Sequence, residues 1–322
     1  MAMHIPVSFF GMAVGTLAWG HAWRAASDIW VLPAWLPHFA AALGLALWLA
    51  LTLAYARKWW LEPAQARLEL DHPISSAMVA LGPVSALLAA ITLKPWSPHL
   101  AWALFVLAVA VQLPLGLWLV GRLWQGGRAP DSINATTYLP GVAQNLVAAT
   151  ASASFGHPAL GALFFGAGVF SWLAMESLVL QRAATQASHS PAQRPLQGIQ
   201  MAPALVGGLS YLSLTSGPPD LLAQMLLGYG LYQGLLAARL LRWTGQGGFA
   251  PSYWAFSFGV MALATMALRL LQRAPDEALW QWLAPALFWL ANAVMAVLAW
   301  RTLGLAREGQ LLPPITVLEK KI

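Results

Sequence analysis

Long apolar stretches recur along the chain, and shorter segments rich in polar residues, glycine and proline separate them. A helix needs about 20 apolar residues to cross a bilayer. The pattern therefore predicts ten transmembrane helices, at residues 7–24, 35–56, 74–93, 99–120, 138–155, 158–180, 201–216, 220–242, 252–271 and 277–300.

The connections between these segments alternate in length. Connections within a pair are short, and those between pairs are usually longer and more polar. We therefore expect one transmembrane domain over residues 1–322, which ends in a short tail at 301–322. It is built of five tandem hairpins, at 7–56, 74–120, 138–180, 201–242 and 252–300.

The odd-numbered and even-numbered segments differ in composition. The odd ones carry more glycine and proline, whereas the even ones are richer in leucine, alanine and tryptophan. Interior proline bends a helix. We therefore predict an all-α architecture in which bent odd helices form an inner pore ring and even helices form an outer ring. Small residues also let helices approach closely, so simple packing explains any single glycine equally well.

Composition and charge support a membrane protein and set its orientation. Of the 322 residues, 59% are hydrophobic and 9% are charged, against about 25% charged in soluble domains. Four of the 17 basic residues fall on one predicted side, and the others fall on the side of both chain ends: the four are Arg24, Lys94, Arg269 and Arg273. Because cytoplasmic loops carry the excess of basic residues, both termini and the tail are predicted in the cytoplasm. The net charge of +6 then reflects orientation rather than nucleic-acid binding.

Aromatic residues cluster at the start of the ninth predicted helix. At helical spacing, one face of this helix presents Trp254, Phe258, Met261 and Thr265. A bulky apolar side chain over a narrow path can stop ions without binding them, as a hydrophobic gate does. The alternative interpretation is ordinary packing between helices.

Glu176 is the only carboxylate well inside a predicted span. Acids within the membrane are rare and often functional. Arg182 lies nearby in the sequence, so a structural pairing or capping role is favoured for Glu176, and proton coupling is the alternative.

No pattern typical of catalysis or of a cofactor occurs. The seven histidines share no i, i+3 or i+4 spacing and there is no cysteine, so we expect no metal site. There is no Walker phosphate loop and no Ser/His/Asp set, so we expect neither ATP-driven pumping nor enzyme activity. Polar residues inside the spans are mostly uncharged, and weak ion binding of this kind suits conduction. The basic inner mouth favours anions.

Six short motifs carry a family resemblance. They are 123–127 (LWQGG), 138–140 (YLP) followed by Asn145, 164–168 (FFGAG), 202–204 (APA), 228–230 (GYG) and 254–259 (WAFSFG). In this order they resemble the tellurite-resistance/dicarboxylate transporter family, which includes the slow anion channels of plant guard cells. The resemblance covers essentially the whole chain.

This resemblance implies a bacterial inner-membrane protein whose odd helices line a pseudo-five-fold pore. It also implies a homotrimer with one pore per subunit. Phe258 falls on the gating phenylalanine of the family. The next residue is Gly259, where the plant channels have proline, so local flexibility can differ here. The regulatory tails of the plant channels are absent, so kinase gating is not implied.

Composition and resemblance together suggest further pore-lining residues on the odd helices. These candidates are Phe9, Gly15, Pro83, Asn145, Gly208, Met261 and Thr265.

The leading hypothesis is an anion channel for small inorganic anions of the halide and nitrate type, embedded in a lipid bilayer. The alternative is a secondary carrier of C4-dicarboxylates or a tellurite exporter, with or without coupling to protons. A carrier needs a titratable or cationic site at mid-membrane, and Glu176 and Arg269 are the available residues. A membrane-embedded enzyme is a third class, but no cluster of polar residues at one depth supports it.

Overall fold

A computed structural model describes residues 5–129 and 132–312 of the chain. These residues form α-helices and shorter helical segments, and no strand occurs among them. The α-helices are α1 (Phe10–Ser27), α2 (Trp35–Leu61), α3 (Pro63–Asp71), α4 (Ser75–Met78), α5 (Leu81–Leu93), α6 (Pro98–Trp124), α7 (Gln144–Ser154), α8 (Pro158–Thr185), α9 (Ala202–Leu214), α10 (Leu221–Arg239), α11 (Leu241–Thr244), α12 (Ala255–Arg273) and α13 (Ala278–Arg307).

Tighter or wider helical turns lead into several of these helices. The 3₁₀ segments are Val7–Phe9, Ala135–Thr137, Arg194–Met201, Gly245–Gly247 and Pro251–Trp254, and a π-helical turn covers Leu139–Ala143. Proline lies at the first or second position of three of them, where its missing N–H and fixed φ fit a helix start. These turns explain why α7, α9 and α12 start later than the apolar stretches predict.

Seven of the helical stretches are long and apolar enough to cross a membrane. They are Trp35–Leu61, Ser75–Leu93, Pro98–Trp124, Pro158–Thr185, Leu221–Arg239, Pro251–Arg273 and Ala278–Arg307. The chain is therefore a multi-pass helical membrane protein. The other three predicted spans contain α1, α7 and α9, which have 18, 11 and 13 residues. The number of ten spans stays a prediction.

The long helices fall into two groups by burial. The apolar windows of Ser75–Leu93 and Pro251–Arg273 are 67% and 78% buried, whereas those of the other five are 17% to 33% buried. The exposed faces of the second group carry large apolar side chains such as Leu163, Phe170 and Trp282. Apolar side chains cover a surface in this way where lipid replaces water.

Helix contacts are of two kinds. Helices adjacent in the chain pack together, as in α1 with α2, α5 with α6, α7 with α8, α9 with α10, and α12 with α13. The well-buried helices also contact one another, in the order α1, α5, α7, α9, α12 and again α1. We call these five the buried helices.

The two ends of the helix bundle are held by different contacts. At the terminal end, where α1 begins and α13 ends, Lys58 forms an ion pair with Glu69 at 3.0 Å. At the opposite end, Arg269 of α12 pairs with Asp28, which follows α1, at 3.1 Å. Helix α13 continues to Arg307, so the first seven residues of the predicted tail are helical. Residues 313–322 of that tail lie outside the described residues.

Gly15 and Gly208 lie at tight contacts between buried helices. A Cβ on Gly15 of α1 would lie 2.0 Å from the Ser257 Oγ of α12. A Cβ on Gly208 of α9 would lie 2.2 Å from the Met266 Cε of α12. Both positions therefore serve close helix packing, as expected of small residues in membranes.

We predict that Gly15→Ala destabilises the fold, because its methyl group would overlap the buried Ser257 side chain. Overpacking of this kind costs about 1–3 kcal/mol. Gly82→Ala is the matched control, because a Cβ there has no neighbour within 4 Å. Its thermal unfolding midpoint in detergent should stay equal to the wild-type value or rise slightly. Equal midpoints for the two variants would contradict this account of the contact.

Candidate functional site

Two cavities lie between the buried helices. The large cavity has a volume of about 830 Å³ and the small cavity about 270 Å³. Phe258 of α12 and Val206 of α9 belong to the walls of both cavities. We call the constriction at these two residues the neck.

All five buried helices contribute to the walls of both cavities. Near the neck these contributions are apolar. On the side of the small cavity they are Val14, Leu81, Leu146, Val206 and Phe258, and on the side of the large cavity they are Ala18, Leu88, Val147, Leu209 and Ala262. A narrow passage with such walls offers an ion no replacement for its hydration shell.

The backbone next to Phe258 is held by three neighbouring contacts. The Trp254 indole N–H donates to the Thr302 hydroxyl of α13 at 2.9 Å. The Ser257 hydroxyl donates to the Trp254 carbonyl at 2.6 Å. A Cβ on Gly259 would lie 2.8 Å from the Met201 Cβ, so glycine permits this close approach. The partly buried Phe258 ring thus extends into the neck from a fixed backbone.

Of the four residues on the predicted face of α12, three belong to a cavity wall and one does not. Phe258 and Thr265 line cavities, but Met261 is fully buried among other helices. Ala262 takes its place, because the cavity-facing side of α12 follows the i, i+4, i+7 spacing from Phe258. Trp254 lines the small cavity and also belongs to the predicted face.

The other predicted lining residues do not contribute to the described walls of the two cavities. Phe9 and Pro83 are buried among their neighbours. The Asn145 amide donates to the Gly141 carbonyl in its own helical segment, at 2.8 Å. In the structure, Asn145 makes a local hydrogen bond, and the other four residues pack between helices: Phe9, Gly15, Pro83 and Gly208.

Positive charge is concentrated in the large cavity. Its wall contains Arg24, Lys94, Arg269 and Arg273 against a single carboxylate, that of Asp28. These four are the basic residues that the sequence assigns to the side away from the chain ends. The large cavity therefore attracts anions.

Two of these cations also bind the carboxyl ends of buried helices. Lys94 donates a hydrogen bond to the Ser154 carbonyl, the last residue of α7. Arg273 donates to the carbonyls of Leu212 and Thr215, at the end of α9. A helix carboxyl end carries about half a negative charge. These contacts offset that charge where it would oppose an anion.

The small cavity has an uncharged wall within the described part of the chain. The sequence predicts an excess of basic residues at the terminal end of the bundle, but none of them belongs to the described wall of the small cavity. The first residues of the buried helices or of the turns before them line it instead, including Ser8, Ser75, Ala202 and Ala255. Amino ends of helices carry partial positive charge, so the small cavity also favours anions over cations.

Threonine hydroxyls in the wall of the large cavity are engaged with the backbone. Thr92 and Thr265 each donate to the carbonyl four residues earlier in the same helix, at 2.8 Å. Thr150 makes the same bond at 3.4 Å. Because each hydroxyl has one hydrogen, little donor capacity remains for an anion. These hydroxyls therefore offer few free hydrogen-bond donors to the cavity.

Glu176 of α8 accepts four hydrogen bonds from neutral groups. Oε2 accepts from the Tyr138 hydroxyl at 2.7 Å and from the Trp172 indole at 2.9 Å. Oε1 accepts from the Tyr229 hydroxyl at 2.7 Å and from the Gln200 amide at 3.0 Å.

This network differs from the pairing that the sequence suggests. Glu176 forms no ion pair with Arg182 in the described part of the chain. Tyr138 lines the small cavity, so Glu176 lies behind the cavity wall and fixes one of its residues. These contacts support a structural role for the carboxylate.

The site contains residues that sequence reasoning does not single out. Val206 lies in an apolar run, and nothing in the sequence distinguishes it from its neighbours. The basic residues of the large cavity do have a sequence signal, because Arg24, Lys94 and Arg269 each lie near the end of an odd predicted helix. Among the described residues, no three histidines or carboxylates lie close enough to hold a metal ion.

The fold and the two cavities define a multi-pass membrane protein with an internal passage narrowed by apolar side chains. The SLAC1 family, described as voltage-dependent anion channels, matches residues 4–303. The chain belongs to this family.

A named relative supports the same assignment. The chain is 33% identical over 264 residues to the tellurite resistance protein TehA homolog of Haemophilus influenzae. The match covers 82% of this chain and 80% of the relative. The resemblance inferred from the six motifs is thus confirmed, and family membership favours transport over catalysis.

We predict that Glu176→Gln destabilises the protein. Each carboxylate oxygen accepts one N–H and one O–H hydrogen bond, so whichever oxygen becomes an amide nitrogen leaves the N–H of Trp172 or Gln200 without this acceptor and forces a tyrosine hydroxyl to reorient. The expected loss is about 1–3 kcal/mol, measured as a lower thermal unfolding midpoint. Glu277→Gln, on an exposed connection, is the control and should leave the midpoint unchanged. Abolished transport with unchanged stability would instead point to proton coupling.

Proposed function

We propose that the protein is a channel for small inorganic anions of the halide and nitrate type, and that the Phe258 ring closes its pore. The proposal rests on one observation: two cavities that favour anions meet at a neck whose wall is apolar. Water and ions leave a narrow apolar passage readily, so the neck is a barrier without any bound plug. Displacement of the Phe258 ring would let water and ions enter the neck.

The charge distribution supports anions as the permeant species. An anion entering the large cavity meets four cationic side chains, and beyond the neck it meets the amino ends of the buried helices. No carboxylate belongs to the described wall of the small cavity. A cation would meet an unfavourable potential on both sides of the neck.

Weak binding near the neck supports a channel over a carrier. The neck contains no described charged residue, and the Glu176 carboxylate is fully engaged behind the wall. A coupled carrier needs a site at mid-membrane that binds its substrate firmly. The name of the Haemophilus relative refers to tellurite resistance. A tellurite oxyanion is therefore a second candidate substrate, and C4-dicarboxylates remain the carrier alternative.

The proposed architecture has ten spans. The five buried helices surround the pore, and the even-numbered spans form the outer layer. By the excess of basic residues at the terminal end, both termini lie in the cytoplasm and the large cavity opens to the outside. A bacterial inner-membrane location and a homotrimer with one pore per subunit rest on the family resemblance.

We predict that Phe258→Ala opens the pore. Chloride efflux from liposomes should rise about tenfold or more over wild type, which corresponds to a barrier lowered by about 1.4 kcal/mol or more. Phe170→Ala is the control, because this phenylalanine is 75% exposed on α8 and belongs to neither cavity wall. Its efflux should equal the wild-type value.

If neither phenylalanine variant increases chloride efflux, and the wild-type protein exchanges a dicarboxylate under a proton gradient, the channel proposal is wrong. A selective increase for potassium rather than chloride would contradict the charge argument.

The orientation predicts a labelling pattern. The chain contains no cysteine, so a single introduced thiol can be labelled without background. Asp276→Cys lies on an exposed connection at the opposite end, and Gln125→Cys lies exposed at the terminal end. A membrane-impermeant maleimide added to intact spheroplasts should label the first variant and spare the second. Reversed labelling would place the termini outside the cytoplasm.

A further inference from the structure

The large cavity has much more volume than a single halide ion fills. Its volume of about 830 Å³ lies in the range of roughly 300–1,000 Å³ typical of pockets for small organic ligands. The space is lined on several sides by charged groups, whereas the neck below it is apolar. The two regions therefore select among anions in different ways. The cavity selects by charge, and the neck selects by size.

The cations of this cavity retain unused hydrogen-bond donors. The Arg24 side chain is exposed and takes part in no ion pair or hydrogen bond within the described part of the chain. Arg269 uses its Nη1 for Asp28 and Gln272, which leaves the donors on Nη2 and Nε. Lys94 gives one of its three hydrogens to Ser154 and keeps two.

The donors come from different helices and are partly preorganised. Arg24 lies on α1, Lys94 follows α5, and Arg269 and Arg273 lie on α12. Lys94 and Arg273 are already held by backbone carbonyls, so binding a ligand costs them little conformational entropy. Asp28, the one carboxylate in the wall, is neutralised by Arg269 at 3.1 Å.

A monovalent ion can engage only part of such a set, whereas an anion with several carboxylate or phosphate groups can engage several members at once. We propose that the large cavity is a binding site for a polyvalent oxyanion, which enters from the opening of the cavity and stops at the neck. Such an anion blocks conduction instead of passing. This inference rests on the proposed channel function for its effect on current, but not for the binding itself.

Binding is tested on the purified wild-type protein by isothermal titration calorimetry. Citrate is the polyvalent probe, and acetate is its monovalent counterpart with the same charged group. We expect saturable citrate binding and no measurable acetate binding at equal carboxylate concentration. Arg24→Gln should weaken citrate binding about tenfold, as expected for the loss of one charge-assisted hydrogen bond.

Arg57→Gln is the matched control for charge. Arg57 is an exposed basic residue at the cytoplasmic end of α2, so its removal lowers the net charge without touching the cavity. Citrate affinity should not change in this variant. Absence of citrate binding, or an equal loss in the Arg24 and Arg57 variants, would overturn the proposed site.

The block is tested by chloride efflux through Phe258→Ala. Citrate on the side of the large cavity should reduce the efflux, and the double variant Phe258→Ala/Arg24→Gln should need about tenfold more citrate for the same reduction. Citrate that binds without reducing efflux would overturn the block. If Phe258→Ala carries no chloride, the channel function fails, whereas the calorimetric result still decides the site.

Discussion

Lipid supplies no hydrogen bonds, so the polar groups of this chain must find partners inside the protein or face an internal space. Several polar groups meet this constraint through partners within the helix bundle. Lys94 and Arg273 take up carbonyls at helix ends, Glu176 collects four neutral donors, and the threonines bond to their own helices. The side chains of Arg24 and Arg269 keep unused donors, and both belong to the wall of the large cavity. The electrostatic character of the passage thus follows from how the backbone is satisfied.

The neck shows the complementary side of the same constraint. Five helices can approach one another closely only where small or apolar side chains meet, as at Gly15 and Gly208. This close approach leaves an apolar wall in which Phe258 and Val206 separate the two cavities. Close packing of the five buried helices therefore also produces a passage that excludes water. A barrier at this depth needs no additional element.

The sequence predicts much of this arrangement, because apolar length and hairpin spacing are local properties. Seven long apolar helices lie at predicted stretches, and Phe258 of the aromatic cluster belongs to a cavity wall. The sequence does not predict that Ala262 lines the cavity in place of Met261. Adjacent residues of a helix point in different directions. Packing against the neighbouring helices determines which of them faces the cavity.

Long-range contacts are the part that the sequence cannot supply. Glu176 and Gln200 are 24 residues apart and meet only through the fold, whereas the nearby Arg182 gives a misleading signal. Val206 is likewise distinguished by its position between two cavities and not by its residue type. Family motifs single out Phe258 as a candidate because they carry information about tertiary structure that composition does not.

All five buried helices run in the same direction, from the terminal end to the opposite end. Their peptide dipoles therefore add instead of cancelling within the wall of the passage. An anion that crosses from the large cavity meets the carboxyl ends first and the amino ends last, and an anion that crosses the other way meets them in reverse. The potential along the passage is therefore asymmetric, and a channel built in this way should carry unequal anion currents at voltages of equal size and opposite sign.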